Sequence, residues 1–200
     1  MDIRKLLNIS FSLKSKIQSE REDVKALSDN ETFSAKIFVE FNSNDCIGLC
    51  LGSSIDIDLF AILLNNDNIF LSKKDVIFYN NSNPQNPVSL AEDDFSSFSD
   101  RDFVTDTIVI KFGELPYYVS EISIIASVYD KIKSLKENGE LLIFKWESGN
   151  LYTEKKPLRI YNKSFVGEIL RIKKCHEKWI MTNSNIDFSS LDEVIHSYSD

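Results

Sequence analysis

After Glu31 apolar and polar residues alternate with a period of two, the pattern of half-buried strands. In residues 107–112, Ile108, Ile110 and Phe112 fall on one face, and in residues 121–129, Ile122, Ile124, Ala126 and Val128 do the same. Residues 35–41 and 46–51 read as a hairpin pair around the turn Asn42-Ser-Asn-Asp45. Residues 60–64 are a continuous apolar run, which predicts a strand buried on both faces. Asn65-Asn-Asp-Asn68 is a turn signal. Further strands are predicted at 69–71, 76–79, 141–146, 158–161, 165–172 and 179–182. Pro84 and Pro87 have no N–H to give a ladder, so residues 80–87 read as a loop.

Two patches carry helical signals instead. Residues 131–138 predict a short exposed helix, with Gly139 placed to end it. Ser190-Leu-Asp-Glu193 is a capping box that opens a helix running to about Tyr198. Residues 1–31 stand apart as a charged extension, expected to be partly helical over 19–25, although residues 8–13 alternate like a strand. The expected fold is mainly β: an antiparallel β-sandwich over 32–200, with a short C-terminal helix and an extra N-terminal segment at 1–31.

Composition narrows the function. A chain of 200 residues with 42% apolar residues and fourteen Phe can bury a sizeable core. A net charge of −8 argues against nonspecific nucleic-acid binding. The charge is also uneven. Residues 45–106 hold eleven acids against three bases, and residues 131–180 hold twelve bases against six acids. Either both are solvated surfaces, or there is an acidic and a basic pole with separate partners. Three cysteines leave no complete disulfide framework, and neither a signal peptide nor a membrane span is read, so a cytoplasmic protein is expected.

The candidate chemistry lies in the acids. Asp56 and Asp58 stand at i and i+2 at the start of a predicted strand, so both carboxylates project from one face. A second acidic stretch runs from Glu92 to Asp106. Together they could supply the six to eight oxygens that Ca²⁺ requires. The plainer reading is a pair of solvated acids at a sheet edge. An EF-hand is rejected, because Thr105 stands where the turn glycine belongs and Lys111 where the bidentate Glu belongs. Cys46, Cys50, Cys175 and His176 raise a zinc site, but Cys46 and Cys50 lie about 13 Å apart along a predicted strand, too far for a zinc knuckle, and the cysteines read as buried and structural. Trp146 and Trp179 read as core. The run Arg171-Ile-Lys-Lys-Cys-His-Glu-Lys178 reads as a solvated basic hairpin tip, with an anionic-lipid or nucleic-acid site as the sharper alternative. No acid/base pair or nucleophile constellation can be named, so no enzyme is expected.

Several stretches resemble TerD-type tellurium-resistance and stress proteins. In order they are Asp56-Ile-Asp-Leu-Phe-Ala-Ile-Leu-Leu64, Asp75-Val-Ile-Phe-Tyr-Asn-Asn81, Thr107-Ile-Val-Ile110, residues 122–130 and Phe165-Val-Gly-Glu-Ile-Leu-Arg171. The resemblance covers about residues 35–198. It implies a β-sandwich that binds Ca²⁺ at acidic loops and acts, without catalysis, in resistance to chemical stress, tellurite or phage. It also implies partnership with other Ter-type stress proteins, one of them membrane-embedded, at the inner face of the membrane. The ligands it implies are Asp56, Asp58, Asn80 and Asn81, with Asp93, Asp94, Asp100, Asp102 and Asp106 of the second segment. That segment departs from the family's Gly-rich loop. It contains no Gly, carries Phe95, Phe98 and Phe103, and supplies its own cation in Arg101. Without φ > 0 positions to turn several oxygens onto one ion, Ca²⁺ binding is expected to be weaker than the family's, or lost. Two alternatives follow: a metal-free interaction module of the same fold, and a Ca²⁺-dependent peripheral membrane binder.

Overall fold

A computed structural model describes residues 37–52, 57–81, 83, 85–90, 107–128, 136–147, 150–161 and 165–199. The chain divides into residues 1–34 and 35–200. Within the second unit eleven strands among the described residues build two antiparallel sheets. Sheet A runs β1 (Phe38–Asn42), β11 (Lys178–Phe188), β10 (Val166–Cys175), β7 (Glu121–Val128), β3 (Ile57–Leu64), β4 (Val76–Ile77). Sheet B runs β5 (Val88–Leu90), β6 (Thr107–Lys111), β2 (Cys46–Gly52), β8 (Lys136–Glu147), β9 (Asn150–Tyr161). Among the described residues one α-helix, α1 (Leu191–Ser197), follows β11.

The alternating apolar positions make the core between the sheets. Ile57, Leu59, Ala61 and Leu63 of β3 and Ile122, Ile124 and Ala126 of β7 face Ile47, Leu49, Ile108 and Ile110. Trp179 lies in the same core, its ring 5.2 Å from that of Phe112. The apolar run of β3 is buried on both faces, as expected. Ile62 and Leu64 point away from sheet B into a second cluster with Ile125, Val166, Phe188, Val194 and Tyr198. This outer cluster is where α1 packs.

Strand β5 was not predicted, and the predicted strand 76–79 keeps only Val76 and Ile77 before a 3-10 turn at Tyr79–Asn81. Three further elements differ from the sequence reading. Strands β1 and β2 do not form a hairpin, because β1 pairs with β11 in sheet A and β2 pairs with β6 and β8 in sheet B. The turn between them is real: Asp45 N donates to Asn42 O at 3.0 Å and Asn42 N to Asp45 Oδ2 at 2.8 Å. It passes the chain from one sheet to the other, held by Lys145 on Asp45 and by Phe112 N on Asp45 O. Second, Lys136, Glu137 and Asn138 are strand rather than helix, and Gly139 lies mid-strand opposite Leu158. Helical propensity in an exposed patch is a small term, and a twelve-residue ladder with β9 outweighs it. Third, residues 69–71 form no strand; they approach a capped 3-10 turn at Lys73–Asp75. The predicted turn at 65–68 is present, with Asn65 Oδ1 accepting from Asp67 N and Ile69 N and Asn68 at φ 63°.

Candidate functional site

Strand register gathers the borders of both acidic segments. Strand β2 ends at Gly52 and β3 begins at Ile57, joined by residues 53–56. Strand β6 begins at Thr107, opposite Cys50 near that same end of β2. Strand β5 ends at Leu90, opposite Ile108. Residues 91–106 therefore leave and re-enter the sandwich at the end where β3 starts. Asp58 lies there on β3, half-buried and opposite Ser127, on the face away from Leu59 and the inter-sheet core. Asp56, Asp93, Asp94, Asp100, Asp102 and Asp106 fall outside the described residues.

Asn80 and Asn81 close a 3-10 turn, Tyr79–Asn81, directly after β4. The Asn81 amide nitrogen donates to Val76 O at 2.6 Å and Lys73 O at 3.2 Å. Val76 pairs with Ile62 and Ile77 with Ala61, so β4, antiparallel to β3, runs toward the start of β3 where Asp58 lies. Asn81 thus pins the turn around β4. Among the described residues no group of three or more His, Cys, Asp or Glu side chains is placed to hold a metal ion. Asp58 supplies the hard, anionic oxygen that Ca²⁺ favours, and it is the described residue at the acidic end that fits such an ion.

At the opposite end the basic hairpin is largely internally balanced. Lys173 reaches Glu121 at 2.8 Å, and Lys178 pairs with Glu40. The Lys174 ammonium lies 5.9 Å from the centre of the Trp179 ring. His176 takes φ 56° at the turn. Of the cysteines, Cys50 is buried, Cys46 half-buried and Cys175 exposed, so the structural reading holds for β2 and not for the hairpin tip. Burial pushes the Cys46 thiol up, with Lys111 opposing.

Sequence reasoning passed over two polar centres. Asp75, 3% exposed, accepts from Leu71 N at 3.1 Å, Ser72 N at 2.8 Å and the Tyr118 hydroxyl at 2.7 Å. Glu168, 1% exposed, accepts from Ser123 Oγ at 2.6 Å, from the Tyr198 hydroxyl, and from Arg171 at 2.6 and 3.0 Å. Arg171 also donates to Glu121 at 3.0 Å and Asn68 at 2.7 Å. Burial opposes its charge, yet Glu168, Tyr198 and Glu121 more than offset this and its pKa rises. Tyr198 is pushed up to about 12, first by burial and then by its bond to Glu168. The available signal was a lone carboxylate inside the apolar strand Val166-Gly-Glu-Ile-Leu170.

A family profile described as "TerD domain" matches residues 18–143. No curated protein matches the sequence significantly. Among solved structures, the chain is similar to a protein of unknown function, SAV2460, with TM-score 0.51 and 10% identity, covering 74% of this chain and 92% of that one. It is also similar to a homologue of the telluride resistance protein TerD, SCO6318 from Streptomyces coelicolor A3(2). There the TM-score is 0.50 and the identity 9%, covering 73% of this chain and 91% of that one. At these identities the two structures speak for the fold.

Proposed function

The chain belongs to the TerD domain family, and from that premise we propose that it is a non-enzymatic stress-response protein whose acidic end binds Ca²⁺. The observation that supports this reading is the register that brings Gly52, Ile57, Leu90 and Thr107 to one end, so that both acidic segments border a common region. Crowded carboxylates repel, and a divalent cation among them removes that cost. Asp58, with Asp56 and acids of 92–106, would hold the ion, which supplies charge neutralisation and loop order rather than catalysis. The absence of Gly from 92–106 makes the site weaker than that of Gly-rich relatives. The cellular role follows the family: resistance to chemical stress in the cytoplasm, with Ter-type proteins as partners.

Calorimetric titration tests the metal. Saturable heat with Ca²⁺, a rise in melting temperature and a loss of both in Asp58→Asn are expected. No heat and no rise at millimolar Ca²⁺ would overturn the reading.

A further inference from the structure

We draw no further inference here: the strongest candidate, the exposed surface patch of Leu71, Tyr79 and Tyr117 beside the Tyr118–Asp75 bond at the β4 edge of sheet A, carries nothing because no feature of the structure shows what covers it.

Discussion

Twice among the described residues a tyrosine hydroxyl meets a buried carboxylate: Tyr118 on Asp75 and Tyr198 on Glu168. The carboxylates differ in what remains when the tyrosine is lost. Glu168 keeps Arg171 and Ser123, so Tyr198→Phe removes a charge-assisted bond and should cost about 1.5–3 kcal/mol without exposing a bare charge. Asp75 is itself the acceptor for two backbone N–H groups, so Asp75→Ala strands Leu71 N, Ser72 N and the Tyr118 hydroxyl together. That change should cost at least as much, read as a lowered urea midpoint. The tyrosines also set an alkaline limit. Both are pushed up to about 12, Tyr118 by burial and its bond to Asp75, Tyr198 by burial and its bond to Glu168. Between the unfolded value near 10 and about 12 the unfolded chain sheds protons that the folded chain keeps, so stability should fall with rising pH across that window. Urea midpoints measured through the window should fall less steeply in Tyr198→Phe than in wild type.

At the scale of elements, local and tertiary instructions can be told apart. The helix α1 was legible because Ser190 and Glu193 satisfy its first-turn donors locally, and the Ser190 hydroxyl does accept from Glu193 N at 3.2 Å. Glu193 closes the other half one residue earlier than the capping-box pattern implies, on Ser189. Ser190→Ala should cost about 0.5–2 kcal/mol, and amide exchange should rise in α1 before it rises in β10. Strands β3, β6 and β7 were legible from apolar spacing alone. The start of β8 was not, because residues 136–138 carry Lys and Glu that suit an exposed helix, and only pairing with β9 decides them. The β1–β2 pair failed for a related reason: turn chemistry at Asn42 and Asp45 specifies a reversal and says nothing about which sheet receives the next strand. For the candidate site, the place of Asp58 near the start of a strand was legible, whereas the clamp made by Asn81 depends on a fold-back onto Val76 that no local pattern announces.

On the scale of the molecule, a net charge of −8 is not spread evenly. Ion pairs such as Lys173–Glu121, Lys178–Glu40 and Lys145–Asp45 balance the end that carries the hairpin tip. The end bordered by Ile57 and Thr107 receives both acidic segments. Like charges gathered at one end destabilise the compact state by self-repulsion, and mobile ions relieve it according to the screening length. That length falls from about 30 Å at 0.01 M salt to about 8 Å at 0.15 M. The melting temperature should therefore climb with monovalent salt over this range, because the exposed pairs weakened by the same screening contribute little. The Glu168–Arg171 pair is buried and should barely respond. A bound divalent ion acts differently, since it adds RT ln(1 + [L]/Kd), about 2.7 kcal/mol at a hundredfold excess over Kd. Calorimetric melting at matched ionic strength separates the two effects: Ca²⁺ should add a step above the monovalent curve in wild type and not in Asp58→Asn. A wild-type curve identical in both salts would mean that screening alone relieves the acidic end.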